Sequence, residues 1–157
     1  MCTSAVIGSS FRVARRCPGS TFGAARAGVV GRIPYLLRVT DREQITLAVL
    51  DYFEGWFDGD VERMDRALHL ELVKRSPAAG PAAMLGITTK ERMLELTAAG
   101  AGAEDGADRR LEVEVLDVHG DVASALVRSA VYREYLHLVR TPDGWKIANA
   151  LWAFTRS

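Results

Sequence analysis

Residues 131–154 read VYREYLHLVRTPDGWKIANALWAF, two apolar-rich runs around Thr141-Pro142-Asp143-Gly144. Pro142 suits the first central position of a type I turn, and Gly144 suits the left-handed residue after it. That predicts a three-residue hairpin loop with Thr141 opposite Trp145. Counting outward, Val139 faces Ile147, His137 faces Asn149, and Tyr135 faces Leu151. One face then carries Tyr135, His137, Val139, Trp145, Ile147, Asn149 and Leu151. The other carries Leu136, Leu138, Arg140, Lys146, Ala148, Ala150 and Trp152. Both are largely apolar, so both need cover. The expectation is that the first face lines an interior and the second pairs with another copy of the chain as a homodimer.

Working outward, the charge is unevenly spread. Six arginines, from Arg12 to Arg38, precede the first acidic residue, Asp41. From Asp41 onward, 14 basic residues face 20 acidic ones, a balance of −6 that gives no footprint for nucleic acid. Both cysteines, Cys2 and Cys17, lie in this leader, so neither a disulfide nor a thiolate metal site is expected beyond it. No stretch is long enough to cross a membrane.

The leader, residues 1–39, is rich in Arg, Gly, Ser and Ala and has no clean period. Three readings stand: a transit peptide, a secretory or twin-arginine signal around Arg15-Arg16, or a start codon assigned too far upstream, with Val39 as the alternative initiator. In each, the leader is a disordered or extraneous segment and residues 40–157 are the domain, expected to be cytoplasmic.

Thr40-Asp41-Arg42-Glu43 is a capping box. The amphipathic helix behind it carries Ile45, Ala48, Val49, Tyr52 and Trp56 at helical spacing and ends at Gly59. Asp60 caps a short second helix over 61–68, with Met64, Ala67 and Leu68 inward. Residues 69–75 form a short strand, and 76–86, with Pro77, Gly80, Pro81 and Gly86, a loop. Thr88-Thr89-Lys90-Glu91 is a second capping box, opening a helix that stops near Gly100. Residues 101–108 read as a mobile linker. Leu111, Val113 and Val115 then alternate with Glu112 and Glu114, a half-buried strand, and a further strand over 122–131 runs into the hairpin. Helices followed by at least four antiparallel strands define an α+β domain.

The phrases Tyr52-Phe53-Glu54-Gly55-Trp56, Ala67-Leu68-His69, Leu72-Val73-Lys74-Arg75, Tyr135-Leu136-His137-Leu138 and Gly144-Trp145-Lys146-Ile147-Ala148-Asn149 resemble a small bacterial family described as putative lumazine-binding proteins. The order of elements resembles the nuclear transport factor 2-like, or cystatin-like, fold to which that family belongs. The resemblance spans about residues 41–154. It implies a cone: a curved antiparallel sheet packed on the N-terminal helices and enclosing a pocket. It also implies that fold alone does not give function, because the superfamily holds isomerases, cyclases, dehydratases and binding modules.

Three functions are open: binding of an apolar or heteroaromatic small molecule, cofactor-free isomerase, dehydratase or cyclase chemistry, and a dimerisation module with a vestigial pocket. For chemistry, the catalytic candidates are His137 as base, with Asn149 and Tyr135 steadying an oxyanion. His69, Tyr52, Trp56 and Trp145 are the ligand-binding candidates. Lys74-Arg75 would suit an anionic group but reads more simply as a solvated strand end. Asp117 is an acid with an inward option. The histidines at 69, 119 and 137 lack metal-binding spacing, and no phosphate loop, serine elbow or Cys-His pair appears, so no metal and no cofactor are expected.

Overall fold

A computed structural model describes residues 39–77 and 84–155. The leader lies outside the described residues, apart from Val39. Helix α1 (Asp41–Asp58) begins where the first capping box predicts. The Thr40 hydroxyl accepts from the Glu43 N–H while the Glu43 carboxylate accepts from the Thr40 N–H at 2.7 Å. It ends at Gly59, whose φ of 67° is left-handed. Helix α2 (Val61–Ala67) follows, capped by Asp60. Strand β1 (Leu68–Pro77) and strand β2 (Leu85–Thr89) come next, then α3 (Lys90–Ala98). Strands β3 (Leu111–His119), β4 (Val122–Ser129), β5 (Tyr132–Thr141) and β6 (Gly144–Phe154) complete the chain.

The six strands form one sheet in the order β2-β1-β6-β5-β4-β3. All neighbours are antiparallel except β1 and β6, which run parallel. The helices cover one face. Ile45, Val49, Phe53 and Phe57 of α1 and Met64 of α2 bury against Leu136, Leu138, Ile147 and Ala150 of the sheet. A jump in the β1–β6 register between Leu68 and Val73, and another in β3–β4 between Val115 and Asp117, bend the sheet around α1.

The hairpin differs from expectation in an instructive way. Its loop is two residues, with Thr141 paired to Gly144 and Arg140 to Trp145. The Thr141 hydroxyl explains this. It donates to the Gly144 carbonyl at 2.9 Å and accepts from the Asp143 N–H at 3.2 Å, so a side chain closes the turn. Ala148 then bulges out, since Leu138 pairs with Ile147 while His137 pairs with Asn149. The bulge cancels the slip, and beyond it the pairs match the three-residue count. It also separates the faces: Trp145 and Ile147 point inward, while Asn149 and Leu151 point outward.

Beyond the bulge, away from the turn, the inward face is therefore the reverse of the expected one. Leu136, Leu138 and Ala150 are core, and the face bearing Tyr135, His137, Asn149 and Leu151 is open. With helices on one side only, the more aliphatic set took the interior, and the amphipathic His, Asn and Tyr tolerate water. The dimer surface expected at Leu136, Leu138 and Trp152 is thus excluded.

Smaller corrections concern the connections. The expected loop over 76–86 ends in a strand, β2, paired to β1 from Pro77↔Leu85 to Val73↔Thr89. Thr88 belongs to that strand, and Thr89 is the cap of α3, accepting from the Arg92 N–H. The strand expected over 122–131 breaks at Ala130-Val131, where the Ser129 hydroxyl accepts from the Tyr132 N–H at 2.8 Å. The expected linker packs onto α1 through a 3-10 turn, Asp105–Ala107, and Gly102 lies against the Trp56 backbone.

Candidate functional site

Between α1, α3 and the concave face of the sheet lies a cavity of about 190 Å³. Helical spacing on α1 turns Tyr52, Phe53 and Trp56 toward it, and α3 adds Met93 and Leu96. The alternation of each strand supplies the rest: Lys74 from β1, Thr88 from β2, Tyr132 and Glu134 from β5, and Trp152 from β6. Lys74 pairs across the sheet with Thr88 on one side and Ala150 on the other, and Glu134 pairs with Trp152.

The polar centre of this cavity is a buried triad. The Lys74 ammonium lies 2.9 Å from Glu134 Oε1. Tyr52 Oη accepts from the same ammonium and donates to Glu134 Oε2 at 3.3 Å. The Lys74 and Glu134 side chains are only 9 % and 1 % exposed. Three rings surround the cation, with Nζ 4.9 Å from the centroid of Trp152, 5.1 Å from Tyr52 and 5.8 Å from Tyr132. An isolated charge of either sign would be costly here; the two compensate each other and are both hydrogen-bonded. Burial, reinforced by the nearby Glu134 charge, pushes the Tyr52 phenol far above its ordinary range.

A second set of contacts ties the cavity walls together. Asp105 Oδ2 accepts from Trp56 Nε1 at 3.2 Å and from the Tyr132 hydroxyl. One carboxylate thus clamps a ring of α1 to a ring of β5. Burial, then the bond to Asp105, raises the Tyr132 phenol. Tyr132 also packs edge-on to Trp152, centroid to centroid 5.3 Å.

Among the sequence candidates, Tyr52 and Trp56 line this cavity. The expected cross-strand pairing of His137 and Asn149 exists, but with Tyr135 these residues lie exposed on the open face, outside the cavity. The geometry therefore gives a His137 base no access to a ligand bound there. Trp145 is buried elsewhere, under the Arg140 guanidinium at 4.7 Å. His69 sits at the start of β1, its Nδ1 accepting from the Glu71 N–H at 3.2 Å. Asp117 is exposed at the β3 irregularity, which turns it outward.

Sequence reasoning passed over Glu134, Tyr132, Trp152 and Asp105 as site residues and took Lys74 for a solvated strand end. A signal was present. Lys74 shares a strand face with buried Leu72, and Glu134 shares one with buried Tyr132, Leu136 and Leu138. Opposite charges, each in an apolar period-two register, mark a buried pair. Among the described residues no cluster of side chains could hold a metal ion. No helix among them is long and apolar enough to cross a membrane.

The curved six-stranded sheet over three helices, with a cavity at its concave face, defines an α+β cone of the nuclear transport factor 2-like, cystatin-like type. Solved structures share it. A nuclear transport factor 2-like protein of unknown function from Shewanella baltica OS155 superposes with a TM-score of 0.58 at 13 % identity, covering 76 % of this chain and 98 % of that one. One described as having a cystatin-like fold, from Novosphingobium aromaticivorans, gives 0.54 at 18 % identity over 74 % and 83 % of the two chains. A ketosteroid isomerase-like protein from Erwinia carotovora atroseptica SCRI1043 gives 0.52 at 18 % over 72 % and 95 %. At these identities the likeness is one of fold. Residues 40–153 match the family described as putative lumazine-binding, and the chain belongs to it. Curated proteins give no match.

Proposed function

We propose that this protein binds a small apolar or heteroaromatic molecule in the cavity between α1, α3 and the sheet. One observation carries the reading: the Lys74–Glu134–Tyr52 triad borders an open cavity walled by aromatic rings. Small-molecule sites are built this way, from an apolar lining with few convergent polar groups. A dimerisation module with a vestigial pocket would call for Trp56, Trp145 and Leu151 to fill the space. Instead Trp56 forms a wall, while Trp145 and Leu151 lie elsewhere. The family description and the small-molecule chemistry of the superfamily support the same reading.

The open sheet face supports a further part of the proposal, a two-fold homodimer. Leu85, Ile87, Tyr135 and Leu151 lie on it at 52 %, 66 %, 50 % and 49 % exposure.

Native mass spectrometry of freshly purified full-length protein tests the binding reading. A retained mass that disappears when Thr88→Trp fills the cavity, with folding intact, is the expected result. A bound mass that persists in that variant places the ligand elsewhere and ends the proposal.

A further inference from the structure

We infer that two copies of the chain meet open face to open face about a two-fold axis running along the strands, with Arg75 of each copy paired to Glu114 of the other. This rests on the homodimer reading and specifies how the copies are turned and what selects a second copy as the partner.

One line of outward residues crosses the sheet as Ile87, Arg75, Leu151, Tyr135, Leu126 and Glu114. Its middle is apolar and aromatic, and its two charges, of opposite sign, stand toward opposite ends. Arg75 has Ile87 and Leu151 as cross-strand neighbours, with Val73 and Pro77 on the same side of its own strand. No carboxylate of that face therefore lies beside it. The far edge has the reverse imbalance. Arg128 Nη1 lies 3.1 Å from Glu112 and 2.9 Å from Glu114, so two carboxylates share one guanidinium. Asp117 adds a third exposed acid on the same strand. From β1 to β3 is four strand spacings, ~19 Å, so Arg75 and these acids do not meet within one chain.

Symmetry brings them together. In a two-fold dimer each residue meets a residue that meets it in return. An axis across the strands lays every strand on its own copy. Arginine then faces arginine and the acidic edges face each other, and like charges so placed oppose association. A diagonal axis crosses the two lines and carries Arg75 away from Glu114. An axis along the strands instead reverses the strand order, so that β1 lies over β4 of the other copy, beside β3, and Leu151 lies over Tyr135. Stacked sheets are ~10 Å apart and neighbouring strands ~4.8 Å. An arginine and a glutamate reaching toward each other span that offset. The rotation forms the pair twice, once on each side of the apolar centre.

Burial of Leu151, Tyr135 and their neighbours supplies the attraction, while the charges fix the register and exclude wrong partners. A foreign protein would need the same spacing of cation, apolar centre and acids. A second copy carries it by identity.

Native mass spectrometry and sedimentation of the full-length protein test this with Arg75→Glu and Glu114→Arg. Alone, each variant sets like charges together twice in its homodimer, and its self-association should weaken at least about tenfold. Mixed in equal amounts, the two should form a heterodimer well above its statistical share, because both pairings then join an arginine to a glutamate. Arg75→Lys keeps the charge and gives a carbodiimide an amine to join to a carboxylate. In a mixture of light and heavy-nitrogen copies, the bond from position 75 to Glu114 should link peptides of different label. Variants that dimerise as the unaltered protein does, or a mixture that stays monomeric or statistical, overturn the pairing and leave the homodimer standing. So does a dimer in which that bond never joins peptides of different label, and this result alone decides if Glu114→Arg does not fold. A monomeric unaltered protein overturns both.

Discussion

Lys74 and Glu134 lie 60 residues apart in the chain, yet their charges meet at 2.9 Å beneath the rings of Tyr52 and Trp152. Neither is sustainable there alone. Lys74→Met should leave a buried carboxylate without its cation and cost ~3–5 kcal/mol, and Glu134→Gln should cost a similar amount by stranding the ammonium. Removing both charges together should recover most of that loss, because the pair's desolvation penalty disappears with its attraction. Urea denaturation of the four proteins checks the cycle. Additive losses would mean that the two groups do not act as a pair.

Alkaline pH should weaken the fold. The phenols of Tyr52 and Tyr132 are raised above the ordinary value of 10.0, by burial first and then by Glu134 and Asp105. Where the folded value exceeds the unfolded one, the folded state holds the proton longer. The stabilisation is thus complete below pH 10.0 and is lost as pH climbs from there toward the folded values. Denaturation midpoints should fall between pH 9 and pH 11, and Tyr132→Phe should flatten part of that fall. A midpoint independent of pH over this range would show both phenols titrating normally.

The sequence was readable where a local rule had one solution. Thr40 and Glu43 allow one helix start, and the helix-to-strand change of period near Leu111 allows one class of fold. The hairpin was readable in part, since Pro142 and Gly144 announce a turn but not its length. That length was decided by the Thr141 hydroxyl, and then masked by the bulge at Ala148. Which face would be buried was not readable from the hairpin, because both faces are apolar and only the covering helices choose between them. The charged residues suffered most. Lys74 and Glu134 look solvated one at a time, and burial becomes affordable only when β1, β6 and β5 bring them together. Asp105 was obscured by its small, acidic neighbours, a composition that resembles a linker although two aromatic donors hold the segment down.

That segment makes a prediction of its own. A methyl group placed on Gly102 would approach the Trp56 carbonyl oxygen to 2.3 Å, with the indole at 2.6 Å. Neither neighbour is the free end of a flexible chain. Gly102→Ala should therefore displace the strap or the ring and cost ~1–3 kcal/mol, as overpacking does. Since Asp105 follows three residues on, the clamp between Trp56 and Tyr132 should loosen as well. The expected signature is a lowered thermal midpoint together with a changed emission of Trp56, measured in a chain where Trp145 and Trp152 are replaced by Phe. Asp105→Asn should change the emission similarly without the steric cost. An unchanged spectrum in both variants would mean that the strap does not hold the wall.

The open face of the sheet gives the last prediction. Its pairings run in one line from Ile87 through Arg75, Leu151, Tyr135 and Leu126 to Glu114, crossing all six strands. Leu151 lies on β6, next to the middle of that line, flanked by Arg75 and Tyr135. A two-fold axis near the middle brings the same residues of both copies together, so that one substitution acts twice. Leu151→Glu places like charges across such an axis and removes an apolar contact on each side. At ~2 kcal/mol or more this corresponds to about thirtyfold or greater weakening of self-association. The leucine is half exposed in the single chain, so the variant should keep its fold and its circular dichroism. Sedimentation should find a dimer for the unaltered protein and a monomer for the variant at equal concentration. A dimer that survives Leu151→Glu would mean that the copies meet at another surface, and a monomeric parent protein would mean that they do not meet at all.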